Sequence, residues 1–148
     1  MRIYVASSWR CPTQPGVVRV LRTFGFDCYD FRHPTTVESD GFHWSEVMPS
    51  YERGSNGLCD PTDYLMALQQ PAAVQGFGRD FDAMQECDTC VLVLPCGRSA
   101  LLELGWFVGQ GRRTAILLDG PQVTPELMYK MVDCVTTDMN ELVDWLFT

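Results

Sequence analysis

The sequence predicts an α/β fold: a doubly wound, open parallel sheet of about five strands with helices on both faces. Three observations carry that prediction. Short apolar runs alternate with stretches of helical period from IYVAS (residues 3–7) to MNELVDWLF (139–147). The run CVLVL (90–94) is apolar throughout, as a central parallel strand covered on both faces requires. Gly and Pro fall between these runs, where the chain must turn.

IYVAS is the first strand. The stretch MRIYVASSWR that holds it is not read as a secretion signal, because polar residues follow the short apolar run at once. PTQPGVVRVLRTFG (12–25) is a helix: its prolines suit a start, Val17, Val20, Leu21 and Phe24 recur at helical spacing, and Gly25 suits the stop. FDCYDF (26–31) is the second strand, completing a β-α-β opening. Residues 32–62 are rich in turn formers and show no period; Phe42, Trp44 and Tyr51 mark the segment as a packed lid rather than a linker.

DYLMALQQ (63–70) is a modest helix that Pro71 ends. AAVQGFGRDFDAMQECD (72–88) is the next, with Val74, Phe77, Phe81 and Met84 as its apolar stripe. Gly76, Asp80, Ala83 and Cys87 run beside that stripe, small enough apart from Asp80 to let another backbone or a ligand come close. After the buried strand, Pro95 and Gly97 break the chain. Ser99 is expected to N-cap a helix running to about Gln110, with Gly111 as its stop. Leu101, Leu102, Leu104 and Trp106 predict that this helix is largely buried.

TAILL (114–118) is a further buried strand, PELMYKM (125–131) a short helix, DCVTT (133–137) a strand and MNELVDWLF the closing helix. A single domain over residues 1–148 is expected, with the flavodoxin-like or Rossmann-like strand order of doubly wound sheets. Such sheets bind ligands beyond the carboxyl ends of their strands, at the switch in strand order. ASSW (6–9), DFRHP (30–34) and PCGRS (95–99) should converge there.

Hydrophobic residues make up 46% of the 148 and charged residues 20%, the balance of a soluble globular chain. No apolar run approaches the ~20 residues of a membrane span, so no membrane partner and a cytoplasmic location are expected. The formal net charge of −8 argues against a nucleic-acid polymer as partner. It leaves room for a small anion held by local dipoles. The seven cysteines are an odd number and read as thiols of a reducing compartment. CDTC (87–90) has the spacing of a redox pair, but it ends a helix and begins a strand, so it reads as structural. No second close pair completes a zinc site, and no metal or other cofactor is expected.

The chemistry concentrates on few residues. Glu103 is the one acid in VLVLPCGRSALLELGW (91–106), one turn inside a helix that starts at the carboxyl end of a buried strand. A partly buried carboxylate costs free energy unless it has partners or a task. Partial desolvation also makes it a better nucleophile toward electron-poor carbon. Asp80, on the helix that feeds the same strand, is the second carboxylate; paired acids in different environments divide into nucleophile and proton handler. Tyr4 in the first strand is either a half-buried β residue or a phenol that hydrogen-bonds the reacting acid and holds its rotamer. Ser7, Ser8 and Trp9 follow at that strand's end, where Trp9 is either core or a stacking surface for a planar base. Asp30 and Phe31 close the second strand. Gly97, Arg98 and Ser99 offer N–H groups, a guanidinium and a hydroxyl at a helix start, a combination suited to phosphate. Neither a G-x-G-x-x-G loop nor a Walker loop is present.

IYVASSW, RDFDAMQECDTCVLVL and GRSALLELGW, in that order, resemble the nucleoside 2-deoxyribosyltransferase-like family, which includes nucleoside 5'-monophosphate N-glycosidases. The resemblance spans most of the chain, and PCGRSALLELGW is its strongest piece. It implies that Glu103, in the S/G-x-x-x-E-x-G segment, is the nucleophile. It implies that Asp80, eight positions before Asp88, helps protonate the base, and that Tyr4 orients the nucleophile. Transferases of the family carry a further Asp in the turn before the Glu; PCGRS has none, which shifts weight toward hydrolysis of a nucleotide. The implied partner is a small nucleoside or nucleotide, and the implied assembly a homo-oligomer, dimer or higher. The same sheet and acid also suit a TIR-like NAD glycohydrolase, and a reading from another class is a nucleotide-binding sensor or scaffold without turnover.

Overall fold

The computed structural model describes residues 1–35, 40–48, 51 and 58–148. Of the lid segment 32–62, residues 36–39, 49, 50 and 52–57 therefore lie outside the described residues. The elements in chain order are β1 (Arg2–Ala6), α1 (Gln14–Thr23), β2 (Asp27–Asp30), a 3-10 turn (Trp44–Glu46), α2 (Pro61–Leu68), α3 (Pro71–Glu86), β3 (Thr89–Val93), α4 (Arg98–Gly109), β4 (Arg113–Leu117), a second 3-10 turn (Leu127–Met131), β5 (Cys134–Thr136) and α5 (Met139–Phe147). The chain divides into two compact units, residues 1–31 with 83–148 and residues 32–82. Among the described residues no helix is long and apolar enough to cross a membrane.

The first unit holds the whole sheet. All five strands are parallel, in the order β2-β1-β3-β4-β5. The chain leaves β1 to one side for β2 and returns on the other side for β3. The strand order therefore switches between β1 and β3, and their carboxyl ends frame the crevice of a doubly wound sheet. In register, Tyr4 lies beside Cys90 and Ala6 beside Leu92. On β1's other side Val5 pairs with Asp30.

Alternation of side chains gives each strand two faces. Ile3, Val5, Val91, Val93, Ala115 and Leu117 share one face with α1 (Val17, Val18, Leu21) and α5 (Leu142, Val143, Leu146). Tyr4, Ala6, Cys90, Leu92 and Ile116 occupy the opposite face and are fully buried. There α4 contributes Ala100, Leu104 and Phe107, and the Phe107 ring lies 5.8 Å from that of Tyr4. Tyr29 stacks on Tyr4 from the neighbouring strand at 5.3 Å. Helices thus cover both faces, as predicted.

Both glycine stops occur as expected. Gly25 (φ +87°) follows α1, and the Gly25 and Phe26 N–H groups bond the carbonyls of Arg22 and Leu21. Gly111 (φ +65°) follows α4, and the Gly111 and Arg112 N–H groups bond those of Val108 and Phe107. This is the Schellman closure, which needs a left-handed residue and so favours glycine. The short helix expected at 125–131 is a 3-10 helix over Leu127–Met131. Two expectations are corrected. Pro71 is the first residue of α3, where its missing N–H costs nothing. The helix before it starts at Pro61, because Asp60 accepts from the N–H groups of Thr62 (2.8 Å) and Asp63 (3.3 Å).

In the second unit two aromatic residues of segment 32–62 make ring contacts. Phe42 meets Trp44 edge to face at 5.1 Å, and Trp44 meets Tyr64 of α2 at 5.6 Å. The expected apolar stripe of α3 holds only toward its end: Met84 is buried and Phe81 half-buried, but Val74 (54%) and Phe77 (67%) are exposed, and Ala73, Gly76, Ala83 and Cys87 are buried instead. The small line faces inward because Phe42 lies directly on Gly76, where an added Cβ would stand 2.8 Å from Phe42 Cβ. Gly76→Ala is therefore expected to lower unfolding stability by about 1–3 kcal/mol, since the obstructing atom is next to backbone and cannot swing away. Urea denaturation checks this, with Gly78→Ala as companion: there an added Cβ meets nothing, and helix propensity alone should raise stability by about 0.5–1 kcal/mol.

Candidate active site

Within the first unit, three segments meet at the carboxyl ends of β1, β2 and β3. Ser7 follows β1, and its hydroxyl donates to the Val93 carbonyl at 2.8 Å, fastening the end of β1 to the end of β3. The Ser8 side chain accepts from the Arg10 N–H at 3.1 Å, and its carbonyl accepts from the Cys11 N–H at 3.0 Å. Together these bonds turn the chain toward α1. Trp9 and Phe31 meet edge to face at 5.3 Å and 88°, each half-buried.

Asp30 is buried, and its Oδ1 accepts from Gln14 Nε2 at 2.9 Å. Gln14 was not anticipated. It opens α1 and is wholly enclosed because the end of β2 lies beside that helix start. Hydropathy gives no sign of this, since a glutamine between Thr13 and Pro15 reads as a surface residue.

The turn after β3 begins with a cis Leu94–Pro95 peptide bond and leads through Cys96 to Gly97, Arg98 and Ser99, all three exposed. The N-cap expectation is corrected here. Gly97 caps α4 in extended conformation and Ser99 lies inside the first turn, because the helix begins one residue after the glycine. The burial of this helix is also narrower than expected. Ala100, Leu104 and Phe107 are buried, while Leu101 (41%) and Leu102 (77%) are exposed, since successive leucines point around the helix rather than to one side.

Glu103 stands one turn before Phe107 on the same side of α4. A helix following a parallel strand runs back along the sheet, so one turn earlier is about 6 Å nearer the strands' carboxyl ends. Phe107 packs on Tyr4, which puts Glu103 beyond Tyr4 in the direction of Ala6, the smallest residue on that face. The electrostatics agree. Burial first, then the Glu103 carboxylate, holds the Cys90 thiol well above its ordinary range. Burial, then Cys11 and Glu103, raises Cys96. Glu103 is half-buried and acts on both the strand beside Tyr4 and the turn before its own helix.

Asp80 belongs to the second unit. It is half-buried on α3, one turn beyond Gly76 and next to Phe81, whose ring stacks on Phe77 at 5.4 Å. Asp82, two residues on, is exposed.

A cleft of about 480 Å³ opens at the other end of the sheet, among Gly111, Arg112, Arg113, Thr114, Asp133 and Trp145. Its polar groups are committed to the fold. Arg112 donates to the carbonyls of Met84, Gln85 and Cys87, closing the end of α3. Arg113 donates to those of Trp145 and Leu146, closing α5. Asp133 accepts from the Thr114 N–H and hydroxyl. The cleft sits at the amino ends of the strands, away from Glu103.

No family model and no curated protein matches the chain. Among solved structures it is similar to a 2-deoxyribosyltransferase from the psychrotolerant bacterium Bacillus psychrosaccharolyticus, with 15% identity, a TM-score of 0.58, and 96% of this chain and 90% of that one covered. It is also similar to the CMP N-glycosidase BcmB of Clostridium botulinum, with 14% identity, a TM-score of 0.50 and full coverage of both chains. At these identities the likeness is one of fold.

Proposed function

We propose that the chain breaks the N-glycosidic bond of a nucleoside or nucleoside 5'-monophosphate through a covalent glycosyl ester on Glu103. What supports this reading is that Glu103 is half-buried on α4 one turn before Phe107, whose ring packs on Tyr4 of the strand at which the order switches. The two similar solved structures, a deoxyribosyltransferase and a CMP N-glycosidase, support it as fold neighbours.

In this reading a Glu103 carboxylate oxygen attacks C1' as the C1'–N bond breaks, through a transition state with oxocarbenium character. The bonding electron pair leaves with the base, and Asp80, as the carboxylic acid, supplies the proton that neutralises it. Water then attacks C1' of the ester, its proton returns to Asp80, and Glu103 is regenerated. Gly97, Arg98 and Ser99 hold a 5'-phosphate where one is present, with Arg98 as the local positive charge in an acidic chain. Ser7 and Ser8 shape the sugar end. Trp9 with Phe31 presents an aromatic edge to the base, and Asp30, fixed by Gln14, keeps that edge in place.

The test is a panel of nucleosides, nucleoside 5'-monophosphates and NAD incubated with purified protein, with free base followed by chromatography. Base released from a nucleoside or monophosphate supports the reading; nicotinamide from NAD alone, or no base at all, defeats it. Tyr4→Phe is expected to lower kcat about 10- to 100-fold, the worth of one hydrogen bond to a charged group. Its ring packing against Tyr29 and Phe107 is retained, so thermal stability should stay near that of the parent.

A further inference from the structure

We propose that Cys11 and Cys96 are an oxidation site, a dithiol that closes to a disulfide between the loops leaving β1 and β3. All seven cysteines are thiols in this structure. The proposal is independent of the glycosidic reading.

The geometry begins at α1, a ten-residue helix. The loop before it folds back so that Cys11 Sγ lies 3.4 Å from Thr13 Oγ1 and donates to the Leu94 carbonyl at 3.7 Å. Leu94 is two residues before Cys96, and the Ser7–Val93 bond holds the same two loops together. The two thiols thus belong to facing segments and are near enough for Cys11 to act electrostatically on Cys96. Cys11 is wholly enclosed and Cys96 half-buried, so an external reagent reaches Cys96 first.

Their environments differ: burial, then Cys11 and Glu103, raises Cys96, so its thiolate is the scarcer of the two but the more accessible. Burial works against ionising Cys11, but the Thr13 hydroxyl and the N–H groups of Thr13 and Gln14 favour the thiolate, and the thiol lies below its ordinary range. Sulfur at a helix start with such donors is the better thiolate. The remaining core thiols are poor ones: burial pushes Cys28 to about 11 and Cys87 to about 12.

The oxidant is a small disulfide. A Cys96 thiolate attacks one of its sulfurs, forming a mixed disulfide and expelling one small thiolate. Cys11 thiolate then attacks the Cys96 sulfur and expels the second. The protein loses two protons and two electrons; the small disulfide gains both electrons and becomes two thiols. The product ties the segment bearing Ser7, Ser8 and Trp9 to the turn bearing Gly97, Arg98 and Ser99.

The experiment treats reduced protein at micromolar concentration with oxidised glutathione, quenches by alkylation and maps the peptides by mass spectrometry. Cys59→Ser serves as the background because Cys59 is exposed. The expected result is a Cys11–Cys96 linked peptide in a monomeric chain. In Cys11→Ala the Cys96–glutathione adduct should persist at least about tenfold longer. A parent chain in which Cys96 carries glutathione while Cys11 is still alkylated, or in which Cys96 links elsewhere or stays unmodified, overturns the proposal. The parent alone decides the linkage, so poor folding of a variant would not obscure it.

Discussion

Glu103→Gln is expected to release base at least about 10³-fold more slowly than the parent, with little change in stability. Gln matches Glu in volume and in helix propensity, so α4 keeps its length and its contact with the sheet through Ala100, Leu104 and Phe107. What is lost is a carboxylate oxygen able to form the ester. An amide has no comparable nucleophile, and water attacking C1' directly lacks the fixed geometry that the carboxylate supplies. The assay is single-turnover release of free base, read beside a thermal melt. Mass spectrometry of the acid-quenched parent should show one added glycosyl group on the peptide containing Glu103. Turnover by Glu103→Gln within tenfold of the parent would remove this residue as nucleophile, whatever the substrate.

Asp80→Asn is the second large effect, a fall of about 10²–10⁴-fold in kcat, the range of a general acid–base contribution. The loss should depend on the leaving group. A base that departs readily without protonation needs the acid least, so an activated nucleoside should recover most of the rate. Asp82→Asn, an exposed acid two residues away on the same helix, should change nothing beyond about 0.5 kcal/mol in stability. The pair of variants separates a local proton donor from the general negative charge of α3. An equal loss with poor and activated leaving groups would assign Asp80 to folding or binding instead of proton transfer.

The errors of sequence reading have a common cause. Leu101, Leu102 and Phe77 read as core residues but are exposed, and Gln14 reads as a surface residue but is enclosed; the close approach expected at Gly76 does occur, with a partner the sequence does not name. Hydropathy ranks residue types, but burial is decided by what lies opposite. Gly76 is covered because Phe42 needs its missing side chain, and Gln14 because Asp30 ends its strand beside it. Nothing near either residue in the chain announces that partner.

By itself, the sequence determined the alternation of strands and helices, the parallel sheet, both glycine stops and the position of Glu103 one turn into a helix after a buried strand. These are local: period, turn chemistry and chain direction are written within a few residues. Only the tertiary structure decided that β1 lies between β2 and β3, that Tyr4 and Phe107 share a face, that Glu103 acts on Cys90 and Cys96, and that Cys11 reaches back to Leu94. Such pairings join residues scores of positions apart, and their register follows from how strands and helices pack together rather than from the preference of any one segment.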